Sequence, residues 1–163
     1  MNFFWLDASA LVKRYVPEIG TPSINHLFNQ TSARFLICLL EGIGETVSIL
    51  VRRKNQGVLT PTAFRQVLSE LRSEISQNAD IEKVYQTRAQ VISSWQWIER
   101  HSLNSTDSII LQCAFDKADE FRADGHDLVL VSADARLIRA ASAAGIMAFN
   151  PETDAQAGLD ALL

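Results

Sequence analysis

Cysteine is scarce: only Cys38 and Cys113 occur, each inside an apolar run and without a CxxC or Cys/His neighbourhood. This excludes a disulfide framework and argues against a zinc centre, while buried free thiols suit a reducing cytosol. No glycine-rich phosphate loop of either common type is present, so the usual nucleotide cradles are missing. Long apolar runs are missing too; the run at Phe35–Leu40 is stopped by Glu41, far short of a membrane span. The opening residues carry no basic leader and meet a carboxylate at Asp7, so they are not expected to act as a signal peptide, and a cytoplasmic location is expected. Nor is there an excess of positive charge. At a net charge of -4, any hold on nucleic acid must come from local basic residues or from bound cations. His26, His101 and His126 are scattered, without metal spacing or a nucleophile partner.

What is present is ordinary globular material, 47% hydrophobic and 21% charged over 163 residues. With no repeat, linker or low-complexity tract, one domain over residues 1–163 is expected. Phe3–Leu6, Phe35–Leu39 and Leu128–Val131 are short, wholly apolar runs, as in strands buried on both faces of a parallel sheet. Asp80–Val84 and Ile146–Phe149 are further strand candidates. Thr21–Pro22 and Thr60–Pro61 each give a cap followed by a proline suited to a first helical turn. Leu40, Ile43, Val47, Leu50 and Val51 recur at helical spacing, and so do Val91, Ile92, Trp95 and Ile98. On that last stripe Trp95 is expected in the core and Trp97 exposed. Asn104 or Ser105 caps a helix running to Ala118, and another helix carries Leu137, Ile138 and Ala141 up to Gly145. Strands alternating with helices imply an α/β fold, a three-layer α/β/α sandwich around a mostly parallel sheet.

Ligands of such sheets bind outside the carboxyl ends of the strands. Asp7 closes the first strand and Asp134 follows the strand ending at Val131, so the two can converge although they are remote in sequence. Ser9 and Ser132 each lie two residues from one of these acids, placed to orient a carboxylate. Glu41 and Glu45 share a helix face. Glu41 suits the helix N-terminus, whereas Glu45 is flanked by Gly42, Gly44 and Thr46, small neighbours that leave room for a ligand. Asp107 sits at another helix start, where capping alone would explain it. Taken together, Asp7, Glu45, Asp107 and Asp134 form an all-oxygen donor set suited to magnesium or manganese. Lys13 and Arg14 are the nearest basic residues in sequence for contacts to an RNA backbone, ahead of the Arg52–Lys54 cluster.

The string Leu6-Asp7-Ala8-Ser9-Ala10-Leu11-Val12-Lys13 resembles the opening of a PIN domain. Glu45-Thr46-Val47-Ser48-Ile49-Leu50-Val51-Arg52-Arg53 resembles that family's second motif. Leu103-Asn104-Ser105-Thr106-Asp107-Ser108 and Leu130-Val131-Ser132-Ala133-Asp134-Ala135-Arg136-Leu137 resemble its third and fourth. The four follow in the family's order, and in length the chain is most similar to the VapC group of toxin ribonucleases. The resemblance implies Asp7, Glu45, Asp107 and Asp134 as catalytic and metal-holding acids, with Ser9 and Ser132 as supporting hydroxyls. It implies magnesium- or manganese-dependent cleavage of RNA leaving 3′-hydroxyl and 5′-phosphate ends, a homodimer, and an inhibitory antitoxin partner. Two other readings compete. One is a silent PIN-like module that binds RNA or protein without cutting; the presence of all four acids argues against it. The other is a phosphate-accepting receiver or a haloacid-type phosphatase. The first wants a lysine after the last strand, where Asn150-Pro151 stands, and the second wants an aspartate at position 9, which is serine.

Overall fold

The computed structural model describes residues 1–163. Strand β1 spans Asn2–Leu6 and is followed by the short helix α1, Ala8–Leu11, which tightens into a 3-10 turn at Val12–Arg14. Helix α2 (Thr21–Gln30), strand β2 (Leu36–Leu39) and helix α3 (Leu40–Asn55) come next. Helix α4 (Pro61–Leu71) runs into a π turn at Arg72–Ser76 ahead of strand β3 (Glu82–Val84). Helices α5 (Arg88–Ser93), α6 (Trp95–His101) and α7 (Ser105–Ala123) lead to strand β4 (Asp127–Val131). Helix α8 (Ala135–Ala143), strand β5 (Met147–Phe149) and helix α9 (Gln156–Asp160) complete the chain.

All five strands are parallel, in the order β3-β2-β1-β4-β5. The chain starts at the centre, moves out through β2 and β3, then returns to the other side of β1 for β4 and β5. The order therefore reverses between β1 and β4, and ligands collect at the carboxyl ends of strands flanking such a reversal. Asp7 lies at that edge, its N–H still in the ladder to the Val131 carbonyl at 3.0 Å.

Burial of both faces explains the uninterrupted apolar strands. Phe4, Leu6, Leu36, Cys38, Val129 and Val131 point to one face, where they meet Leu11, Ile24, Leu27, Leu50 and Leu71 of α1 to α4. Trp5, Ile37, Leu39, Leu128 and Leu130 point to the other, against Leu111, Ala114 and Leu137 of α7 and α8. Each such side chain removed from water contributes roughly 1.5–3 kcal/mol, and the sheet is the surface on which both layers are assembled. No helix is long and apolar enough to cross a membrane.

The expected strands are all found. The stripe through Val91, Ile92, Trp95 and Ile98 is divided between α5 and α6, leaving Trp95 exposed and Trp97 buried. The start of α2 differs in local chemistry. Thr21 begins α2 but does not cap it; Gly20 takes the cap position at φ 89°. The Thr21 hydroxyl instead donates to the Lys13 carbonyl and accepts the Glu18 N–H, both at 3.0 Å. That draws the α1 exit and the α2 entry together.

Candidate active site

Four separate strand-to-helix or loop-to-helix junctions supply the four acids. Asp7 ends β1 and caps α1. Its Oδ2 accepts from the Ser9 N–H (3.2 Å), the Ser9 hydroxyl (2.5 Å) and the Ser132 hydroxyl (2.9 Å). The two serines are fixed in turn by the turn after β4. Ser9 Oγ accepts the Ala133 N–H at 2.9 Å, and Ser132 Oγ accepts the Asp134 N–H at 3.0 Å. With each hydroxyl oxygen accepting a backbone N–H, its own proton is directed to Asp7. The carboxylate is thus clamped through one oxygen, and Oδ1 makes no hydrogen bond to the protein.

Asp134 caps α8 through Oδ1, which accepts the Arg136 and Leu137 N–H groups at 2.7 and 3.2 Å. Its Oδ2 has only the Arg136 guanidinium nearby, at 3.8 Å. Asp107 stands in the first turn of α7, whose cap is Asn104. The Asn104 Oδ1 accepts the Asp107 N–H (2.8 Å), and Asn104 Nδ2 donates back to Asp107 Oδ2 (2.7 Å). Glu45 lies one turn into α3 and makes no hydrogen bond to the protein. Beside it, Thr46 turns its hydroxyl back to the Gly42 carbonyl at 2.9 Å, and Gly44 faces open space. Each of the four acids keeps at least one oxygen uncommitted.

The charges of these carboxylates act on one another. The Asp107 carboxyl is pushed up to about 6, first by burial and then by the charges of Asp7, Asp134 and Glu45, with Arg136 opposing. Glu45 is raised by burial and by Asp7, with Arg52 opposing. Glu41 is not among these neighbours; it accepts a hydrogen bond from Gln86 at 2.8 Å. Of the two glutamates on α3, Glu45 is the one that meets the other acids. No group of three or more acids, histidines or cysteines stands at metal-holding spacing. The chemistry of the set nonetheless fits a hard divalent ion: oxygen donors only, free lone pairs, and unneutralised mutual repulsion.

Lys13 and Arg14 are placed elsewhere. The Lys13 ammonium is buried between Glu18 (2.9 Å) and Glu152 (2.5 Å). Arg14 grips Glu74 through Nε and Nη2, and its Nη1 donates to Asn25 at 2.8 Å. It lines a concavity of about 310 Å³ with Tyr15, Glu70, Ser73 and Glu74, and none of the four acids borders that space. Neither residue is free to hold a phosphate at the acids. The basic residue that does stand there, Arg136, went unnoticed in the sequence. Its position two residues after Asp134, at a helix start, was the available signal.

A three-layer sandwich with acids gathered at the carboxyl edge of a parallel sheet defines the class of protein to which comparison should lead. The chain belongs to the PIN-domain family, which it matches over residues 26–152. No curated protein matches it. Solved structures share the fold at low identity. VapC20 of Mycobacterium tuberculosis, a sarcin-ricin loop cleaving toxin, is 16% identical at a TM-score of 0.61, covering 88% of this chain and 96% of that one. PAE2754 from Pyrobaculum aerophilum is 18% identical at 0.62, covering 99% of each chain. FitAcB from Neisseria gonorrhoeae is 14% identical at 0.63, covering 93% of this chain and 100% of that one.

Proposed function

We propose that this protein is a magnesium- or manganese-dependent endoribonuclease, with Asp7, Glu45, Asp107 and Asp134 as its catalytic acids. The observation that carries the reading is the Asp107 carboxyl at the start of α7, raised by burial and by the charges of Asp7, Asp134 and Glu45. Four like charges in one cleft cost stability unless a counter-ion joins them. A divalent ion there supplies Lewis acidity and neutralises phosphate charge. Asp7, Glu45, Asp107 and Asp134 are the residues that would hold it. Ser9 and Ser132 keep Asp7 in one orientation, Asn104 does the same for Asp107, and the α8 N-terminus does so for Asp134. The membership in the PIN family supports nuclease chemistry, and the likeness to VapC20, a toxin, supports a toxin role; a cognate antitoxin and a homodimer are proposed with that role. Cleavage leaves a 3′-hydroxyl and a 5′-phosphate.

The test is a cleavage assay on single-stranded RNA, with purified protein freed of any partner. Manganese is expected to switch cleavage on and EDTA to stop it, while Asp7→Asn is expected to remove it with the fold intact. Metal-independent cleavage, or none with either ion, overturns the reading. Manganese affinity is also expected to fall as pH drops through about 6, because the ion must displace the proton from metal-free Asp107. A profile flat between pH 5 and 8 contradicts that assignment.

Ser132→Ala removes one of the two hydroxyls aimed at Asp7 and the acceptor for the Asp134 N–H. Losses of about 10–100-fold follow when such supporting partners of a metal ligand are deleted. Manganese affinity and cleavage should both fall by about that much, alongside a stability loss of roughly 1–3 kcal/mol from the partners left unsatisfied. An unaltered manganese titration counts against the clamp.

A further inference from the structure

Five of the fifteen lysines and arginines are tied to acids of the fold. Lys13, Arg14, Arg53, Lys117 and Arg122 all sit in ion pairs with acids of their own chain. Of the two arginines beside the acidic cluster, one makes only a long pair to Asp134 and the other makes none. Arg136, the second residue of α8, is 54% exposed, and its guanidinium is 3.8 Å from Asp134 Oδ2, too far for a hydrogen bond. Arg52 is exposed, makes no ion pair, and lies on α3 two turns beyond Glu45, on the same helix face. These helices lie on opposite faces of the sheet, since α3 packs into one core layer through Leu50 and α8 into the other through Leu137. The charges of both are felt by the acids they flank, Arg136 by Asp107 and Arg52 by Glu45.

We propose that an RNA strand crosses the carboxyl edge of the sheet over the four acids, with phosphates on either side of the cut held by Arg136 on one face and Arg52 on the other. The proposal rests on the nuclease reading and adds the path of the strand to it. The planar guanidinium fork matches a phosphodiester's two free oxygens, and contacts of this kind read backbone, not base. An acidic protein needs such local cations, because its overall field repels the polymer. With the acidic cleft between them, the two arginines set the register of the strand and leave the reacting phosphate to the carboxylates and their ion. They are positioning residues; neither touches the bond that breaks.

Binding of a labelled oligouridylate to the Asp107→Asn protein, in magnesium and over a range of salt concentrations, tests this. Each phosphate contact on a single strand contributes about 0.7 to the slope of log affinity against log salt. Arg136→Gln and Arg52→Gln should each make the slope shallower by about 0.7, and the double variant by about 1.4. Arg136→Lys should keep the slope while binding several-fold more weakly, since it retains charge but not the fork. Arg34→Gln, just before β2 at the far end of the sheet, should change nothing, which separates local contact from net charge. An unchanged slope in either single variant overturns the proposal. Should wild-type protein fail to cut RNA while the slopes shift as stated, the nuclease reading falls and the strand path stands.

Discussion

Replacing Asp107 with asparagine is expected to abolish RNA cleavage and, in the same protein, to raise the melting temperature measured without metal at neutral pH. The two effects share one cause. Asparagine keeps the shape and can still accept the hydrogen bond from Asn104 Nδ2, but it removes the charge that Asp7, Asp134 and Glu45 oppose. The Asp107 carboxyl titrates at about 6 in the fold, above its ordinary value, so the fold disfavours its ionised form. Stability from that group is fully present below about pH 4, where it is protonated folded or unfolded, and is lost as pH rises through about 6. Asparagine mimics the protonated state at every pH. The gain should therefore be complete at pH 7.5 and absent at pH 4. Discounted for solvent screening it is about 1 kcal/mol, or roughly 2–4 °C for a chain of this size. Cleavage should drop by about a hundredfold or more, since even supporting partners of a metal ligand are worth 10–100-fold. Manganese should stabilise wild type by about 2.7 kcal/mol at a hundred times its dissociation constant, and do far less for the variant. An Asp107→Asn protein that cuts RNA at the wild-type rate, or melts lower than wild type at pH 7.5, refutes the charge-cluster account.

How much of this was legible in the sequence depends on which interaction decides each residue's place. Strands buried on both faces leave continuous apolar runs, and Leu128–Val131 could be read directly for that reason. Helix starts announce themselves through Asn104 and the Thr60-Pro61 pair, whose capping bonds are local. The acids were found because each sits at such a start. Their convergence at one edge is expected from strand-to-helix alternation, and the preference for Glu45 over Glu41 rests on the small neighbours of Glu45. The tie between Glu41 and Gln86, which no spacing predicts, agrees with it.

Polar partners made across the fold account for what the pattern missed. The stripe through Val91, Ile92, Trp95 and Ile98 placed Trp95 in the core, yet Trp95 is 57% exposed and Trp97 is buried. Helix α5 stops at Ser93, and the buried face then runs through Ser94 and Trp97. The Trp97 indole N–H donates to Gln112 Oε1 at 2.9 Å, and that bond makes burial of its polar edge tolerable. A count of apolar residues has no access to a glutamine on α7. Lys13 and Arg14 were misjudged for the same reason: closeness to Asp7 in sequence said nothing of Glu18, Glu74 or Glu152.

Lys13→Ala is expected to be the most destabilising of the substitutions considered. The side chain is 2% exposed, with its ammonium between Glu18 and Glu152, and Glu18 also takes Arg53 at 2.7 Å. One lysine thus ties the end of α1 to the turn before α2, to α3 through Arg53, and to the segment after β5. Its stem packs under Gly20, where a Cβ would come within 3.1 Å of Lys13 Cδ and 2.9 Å of the Pro151 carbonyl oxygen. The φ of 89° at Gly20 and that close approach both require glycine. Truncation to alanine leaves two carboxylates facing one another over a cavity. Removing one member of a buried pair costs about 3 kcal/mol at the lower end, roughly 6–12 °C here at 2–4 °C per kcal/mol. Lys13→Met restores the stem but not the charge, so it should recover only part of the loss. A phosphate-binding lysine would behave in the opposite way, with melting unchanged and the salt slope of RNA binding reduced by about 0.7. Thermal melts and salt titrations on Lys13→Met therefore separate the two roles. A structural strut requires the melt to move and the slope to stay.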